Sequence, residues 1–271
     1  MKRKTLKPMR TSCANHAHIS TMKVKYHILR GMLAFTLLVV IISFVIVVTS
    51  VDKSEPVSEA YDYADMRLQI TVSPFDDLKP SEFDAQALRT KNNDFRAWLQ
   101  IPDTEISFPV VQGTDNAYYL KHSFVKRYSS FGCLFLDYRT TLEDRNLVIH
   151  GHNMGLNRTE MFSTLVNYQN QTYAEEHETI FYCDPDRAGE ERYTVFAVLN
   201  LDIYNADQFN YRQQQFESDA AFQMFVSYLK DHSIFASEYE PTGELIILST
   251  CNRAYGESNR LLICAGRDRE T

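Results

Sequence analysis

One tryptophan, nine glycines, eight prolines and five cysteines are spread over 271 residues, and each scarcity narrows the field. The cysteines stand at 13, 133, 183, 251 and 264, with no Cys-x-x-Cys pair and no His-Glu-x-x-His run anywhere. The spacings that mark zinc sites are therefore missing. Five scattered thiols are not a disulfide framework, and an exported domain of this size can build a core without staples. Cys133, Cys183 and Cys264 sit singly in apolar runs and read as small buried hydrophobes. No internal repeat or low-complexity tract appears, which leaves one large or two small domains.

The sharpest absence is of acidic residues at the start. Residues 1–51 hold Lys2, Arg3, Lys4, Lys7, Arg10, Lys23, Lys25 and Arg30 and no aspartate or glutamate. Gly31 to Thr49 is dominated by Leu, Val, Ile and Phe, interrupted only by Thr36 and Ser43. Nineteen helical residues reach roughly 28 Å, close to the hydrocarbon thickness of a bilayer. The basic flank orients such a helix with its N-terminus in the cytoplasm. The apolar run is longer than a cleavable signal core and ends in Val45–Thr49 rather than in small residues. The expected layout is a basic cytoplasmic tail over 1–30, a single-pass transmembrane anchor over 31–50, a juxtamembrane stalk over 51–79 and an extracytoplasmic domain over 80–271. Outside the tail, 20 basic residues face 35 acidic ones, a formal charge of −15. Nucleic acid, which needs a basic footprint, is excluded as a partner.

The exported part reads as mainly β. Short β-rich runs fall at Trp98–Ile101, Ser107–Gln112, Phe131–Asp137, Asn146–His150, Thr179–Cys183, Arg192–Leu201, Glu244–Thr250 and Arg260–Ala265, punctuated by Gly, Pro, Asn and Asp. Eight such strands with few helices predict a closed or nearly closed barrel. At its N-terminal edge, Ser81 is the expected cap of a helix, with Asp84 three residues on, and a further helical turn is expected over Asn93–Ala97. Between the sixth and seventh strands, Phe222, Phe225, Val226 and Leu229 mark one face of a helix over Ser218–Lys230, with Ser218 as its cap.

Three side chains carry candidate chemistry. Cys251 ends the strand-like run Ile247-Leu248-Ser249-Thr250, Arg260 opens the next one, and His152 follows Gly151 at the end of the fourth. A thiolate is a nucleophile, an imidazole moves protons near neutral pH, and a guanidinium steadies an oxyanion. A hairpin would bring Arg260 back beside the sulfur, ahead of its rivals Arg253 and Arg267. Spacing alone leaves Cys251 readable as another buried thiol. His150 and His152, two apart, share a face of a continuous strand, so alternation does not choose between them. A strand ending at Gly151, where glycine permits a tight turn, would break that symmetry. A zinc site at this His-x-His pair lacks an acidic third ligand.

Over residues 90–267 the chain resembles the class B sortases, thiol transpeptidases of Gram-positive cell surfaces. Asn93-Asp94-Phe95-Arg96-Ala97-Trp98-Leu99-Gln100-Ile101-Pro102 is similar to the family's entry into the first strand. Phe108-Pro109-Val110-Val111-Gln112-Gly113, Asp115-Asn116 and Tyr118-Tyr119-Leu120 resemble the second strand and its turn. Gly132–Arg139 resembles the third strand, and Asn146–Met154 the fourth with its catalytic-histidine loop. Two departures stand out: Ile247 takes the first place of the Thr-Leu-x-Thr-Cys pattern, and His150 replaces what is often an aromatic residue.

The resemblance implies an eight-stranded sortase-type barrel with N-terminal helices and a long helix between strands six and seven. It implies Cys251 as nucleophile, His152 as acid and base, Arg260 at the oxyanion, and Ser249 and Thr250 along the substrate groove. His150 is then expected to be a packed or surface histidine, and Asp137 and Tyr138 structural. The implied reaction cleaves a C-terminal sorting motif of surface proteins through a thioacyl enzyme. It then transfers them to an amine of the peptidoglycan cross-bridge or its lipid-linked precursor, with no metal or organic cofactor. The neighbouring readings are a pilus polymerase using a pilin lysine, a cysteine peptidase with water as acceptor, and an inactive barrel that binds sorting signals or wall peptides.

Overall fold

Leu245–Cys251, buried along almost its whole length, is the strand around which the rest is ordered. The computed structural model describes residues 30–43, 84–155, 157–187, 191–204, 209–252, 256 and 258–268. The chain divides into two units, Met1–Ala64 and Asp65–Thr271. In the first, residues 30–43 form a helix with exposed apolar side chains such as Leu33 and Val40. Fourteen residues reach only about 21 Å, and among the described residues no helix is long and apolar enough to cross a membrane. The expected transmembrane helix over 31–50 is thus seen only over residues 31–43. The remainder of that span, the expected stalk 51–79 and Ser81 lie outside the described residues.

The second unit is an eight-stranded closed barrel. Its strands are β1 (Phe95–Gln100), β2 (Ser107–Val111), β3 (Leu134–Leu136), β4 (Asn146–His150), β5 (Thr179–Cys183), β6 (Glu191–Asp202), β7 (Leu245–Cys251) and β8 (Asn259–Gly266). Around the barrel they run β1-β2-β3-β4-β7-β8-β6-β5, and β1 closes on β5. Pairing is antiparallel except for β2 with β3 and β4 with β7. The helices of this unit are α1 (Ala85–Lys91), α2 (Gln171–Glu176) and α3 (Asp219–Asp231), with a 3₁₀ segment at Ser163–Gln169 leading into α2.

All eight expected strands are present, several with shifted ends. Asn93–Ala97, expected as a helical turn, instead enters β1. The Asn92 side chain accepts from the Asp94 N–H, turning the chain, and Phe95 then pairs with Val111 and packs on Phe124. Asp84 caps α1, accepting from Ala87 N at 2.9 Å. The 3₁₀ segment and α2 add to the expected elements.

α3 follows expectation: Ser218 caps it, and Phe222, Phe225, Val226 and Leu229 are buried. They pack on Val148, Leu199, Leu245, Ile247, Leu262 and Cys264, one face of β4, β6, β7 and β8. Because side chains alternate along a strand, the next positions on that face are His150, Ser249, Cys251 and Arg260. The apolar layer under α3 therefore runs straight into the candidate site. At the other end of the sheet, Arg145 braces α3 against the segment leading into β7. It stacks on Phe222 at 3.6 Å, pairs with Asp219 and donates to the Thr242 and Gly243 carbonyls.

Removing a buried aromatic side chain leaves a cavity that typically lowers stability by about 3–5 kcal/mol. Phe222→Ala should show a loss of that size in urea denaturation. Met224→Ala, on the exposed side of the same helix, should stay within about 0.5 kcal/mol of the parent.

Candidate active site

The parallel register of β4 and β7 sets His150 opposite Ser249, and the antiparallel register of β7 and β8 sets Cys251 opposite Arg260. β4 ends at His150, so the chain leaves the sheet and carries His152 past the strand end. Three contacts sew this exit to β7. Gly151 N donates to Ser249 O at 3.2 Å, Thr250 Oγ1 donates to Gly151 O at 2.8 Å, and Asn153 Nδ2 donates to Cys251 O at 3.0 Å. Gly151 is required for space rather than for a turn. It has no positive φ, but a Cβ there would collide with the side chains of Leu134 and Phe162.

His152 Nε2 stands 2.8 Å from the Leu120 carbonyl oxygen. A carbonyl only accepts, so the proton of the neutral ring belongs on Nε2 and Nδ1 is left as the base. The contact comes from the loop after β2, at the end of a 3₁₀ turn, Tyr118–Leu120. That loop is fastened below by Asn92, whose Nδ2 donates to Tyr119 Oη at 3.0 Å and to Phe124 O at 2.7 Å.

Cys251, His152 and Arg260 line one cleft of about 540 Å³, together with Ser249, Thr250 and His150. Every candidate site residue named from sequence is thus brought to one place. Cys251 is partly accessible, whereas the other described cysteines, Cys133, Cys183 and Cys264, are buried. Burial pushes the Cys264 thiol well above its ordinary value, so it offers no thiolate. Thr250 spends its hydroxyl on Gly151 and positions the strand. Ser249 meets the buried Tyr211 hydroxyl at 3.3 Å. Among the described residues no group of three or more His, Cys, Asp or Glu side chains could hold a metal ion.

Sequence reasoning missed the opposite wall. Phe209, Tyr211 and Arg212 come from the β6–α3 connection, and Asn116 and Leu120 from the loop after β2. No periodic pattern marks such loop positions. His150, expected as packed or superficial, is also part of the wall. Behind it lies Asp137, fully buried as a structural residue should be. Its oxygens accept from Arg139 Nε and Nη2 at 2.9 and 3.0 Å and from Asn116 Nδ2 at 3.0 Å. Burial raises its carboxyl, but the His150 imidazole, the Arg139 guanidinium and N–H, and the Asn116 amide outweigh it and hold it far below the usual range.

A Sortase domain family model matches residues 99–268. Sortase B of Staphylococcus aureus is 26% identical over 251 residues, 91% of this chain and 98% of that protein. Sortase B of Listeria monocytogenes is 34% identical over 170 residues, 61% of this chain and 65% of that protein. Among solved structures, a Staphylococcus aureus sortase B–substrate complex aligns with a TM-score of 0.60 at 27% identity, covering 70% of this chain and 85% of the other. A Clostridium perfringens sortase B aligns at 0.61 and 24% identity, covering 67% and 98%.

A carboxyl depressed in the folded state stabilises the fold above its unfolded value of about 4. That contribution is lost as the pH falls toward the folded value. Asp137→Asn should therefore lower the unfolding free energy by roughly 1.5–3 kcal/mol at neutral pH, the range for hydrogen bonds to a charged group. The gap should narrow below about pH 4. Urea denaturation at neutral and acid pH measures it, and a gap of equal size at both would contradict the ionised, braced carboxylate.

Proposed function

The chain belongs to the sortase family, within class B, and is a cysteine transpeptidase; from that premise we propose that it joins surface proteins to a cell-wall amine with Cys251, His152 and Arg260 as its catalytic set. The observation that carries the assignment is the register pair Cys251–Arg260 with His152 on the rim of the same cleft. The Cys251 thiolate attacks the threonyl carbonyl of a C-terminal sorting motif. Negative charge gathers on the carbonyl oxygen, where the Arg260 guanidinium supplies fixed donors. As the C–N bond breaks, the His152 imidazolium gives its Nδ1 proton to the departing amine, leaving a thioester on Cys251. The acceptor amine attacks that thioester, His152 takes its proton, and Cys251 leaves as thiolate. Atoms balance without a metal or organic cofactor.

A solved sortase B complexed with triglycine, 28% identical to this chain, fits an acceptor that offers a peptide amine, as a wall cross-bridge does. A pilin lysine would be the acceptor of a pilus polymerase. In this reading residues 31–50 anchor the enzyme in the membrane, residues 1–30 stay in the cytoplasm, residues 51–79 form the stalk and residues 80–271 act outside. The acid-free, basic residues 1–51 and the apolar run that follows Arg30 support that orientation.

The full-length chain in detergent is to be incubated with a pool of sorting-motif peptides, with and without triglycine or a lysine amine, and followed by mass spectrometry. Amine-linked product is expected from the wild type and none from Cys251→Ala or His152→Ala. Arg260→Lys should lower kcat by about 10²–10³, the loss seen when an oxyanion donor is removed. Cleavage to free acid regardless of amine would identify a peptidase instead. Absence of any Cys251-dependent product would favour a binding module.

Deleting residues 1–50 is expected to move the protein from the membrane to the soluble fraction of fractionated cells. Retention in the membrane would refute the anchor.

A further inference from the structure

His152 is flanked by two residues that are both tied to β7. Before it, Gly151 N donates to Ser249 O at 3.2 Å. After it, Asn153 Nδ2 donates to Cys251 O at 3.0 Å. The second tie draws its donor from a side chain. Rungs of a parallel ladder recur every two residues, so a β4 continued past Gly151 would next offer the Asn153 main-chain N–H to the Cys251 carbonyl. β4 ends at His150, and the Asn153 amide supplies the donor instead.

The main chain of this loop is engaged elsewhere. Phe162 N donates to His152 O at 2.9 Å, Asn153 forms a β-bridge with Met161, and Met154 N donates to Ser163 Oγ at 2.9 Å. The other half of the Asn153 amide is used as well, its Oδ1 accepting from Gly155 N at 2.9 Å. A carbonyl only accepts and an N–H only donates, so the two contacts agree on which way the amide points. Asn153 is buried and stands outside the cleft lining formed by the described residues. One hydrogen bond and one peptide link therefore join the residue carrying the sulfur to the residue carrying the imidazole.

We propose that Asn153 is a positioning residue for the transfer reaction: its side-chain amide replaces the next rung of the β4–β7 ladder and so holds His152 in register with Cys251. This rests on the transfer chemistry assigned to those two residues. The other straps do not serve the same end. Ser249 and Thr250 hold the chain at Gly151, ahead of the histidine, and the bonds to Phe162 and Ser163 do not reach β7.

The test separates positioning from folding and from peptide binding, using the full-length chain in detergent. Asn153→Ala keeps the main-chain bond to Phe162 and the bond to Ser163. For transfer of a sorting-motif peptide to triglycine it should lower kcat about tenfold, the worth of one hydrogen bond, and leave KM within about twofold. Alkylation of Cys251 by iodoacetamide, read by mass spectrometry, needs no peptide. His152→Ala should slow it about fivefold near neutral pH, because an adjacent imidazole favours the thiolate. In the Asn153→Ala chain the same substitution should change it less than about twofold, since the imidazole is no longer held in register. Equal slowing in both backgrounds, slowing in neither, or a raised KM at unchanged kcat overturns the proposal. Should urea denaturation show Asn153→Ala to be unfolded, Asn153→Asp takes its place with the same expected outcomes. It keeps the size and the Gly155 contact, but its carboxylate has no proton to give the Cys251 carbonyl. Failure of the wild type to transfer peptides would refute the transfer chemistry, while the alkylation rates would still decide on Asn153.

Discussion

The parallel ladder between β4 and β7 is the constraint on which the rest depends. Five consecutive register pairs, from Asn146–Leu245 to His150–Ser249, hold the two strands together. Parallel neighbours cannot be joined by a tight hairpin and need a long crossover. Here that crossover contains β5, β6 and α3, so much of the barrel is the connection between the two strands bearing the histidines and the thiol. Once the ladder is in register, the histidine exit and the end of β7 have to lie side by side. The antiparallel return of β8 then leaves Arg260 no place but opposite Cys251.

Stability and chemistry use opposite ends of this framework. Away from the cleft, Arg187 and Arg267 bind Glu244 and Glu191, and Glu244 also accepts from the Tyr193 hydroxyl at 2.9 Å. These charges neutralise one another where β5, β6, β7 and β8 begin or end. At the cleft the described charged groups are cations, with Asp137 withdrawn behind the wall and braced by its own arginine. Among the described residues lining the cleft there is no aspartate or glutamate, and Arg212 and Arg260 lie along it.

Much of this is legible in the chain. Alternation and β-rich runs locate all eight strands, and the apolar spacing of Phe222, Phe225, Val226 and Leu229 locates α3, because both signals report burial of one face. The cysteine, histidine and arginine are readable because each sits at a strand end, where register turns sequence position into spatial position. What escapes is decided by contacts distant in sequence. Asn93–Ala97 has helix-compatible residues but is captured by pairing with Val111. Gly151 has the look of a turn residue, whereas Leu134 and Phe162 leave it no room. Tyr211 and Arg212 reach the cleft only because α3 docks where it does. His150 is easily passed over because its interest lies in Asp137, thirteen residues away and on another strand's exit.

The carbonyl that holds His152 belongs to the main chain of Leu120. Every amino acid placed at position 120 would bring the same oxygen, so substituting Leu120 alone would report nothing about it. The protonation pattern of the ring is written into the path of the backbone, which the Asn92 side chain holds in place through Tyr119 and Phe124. It can be altered only by displacing the loop itself, so insertions and deletions between β2 and β3 are the changes to which the base should be sensitive.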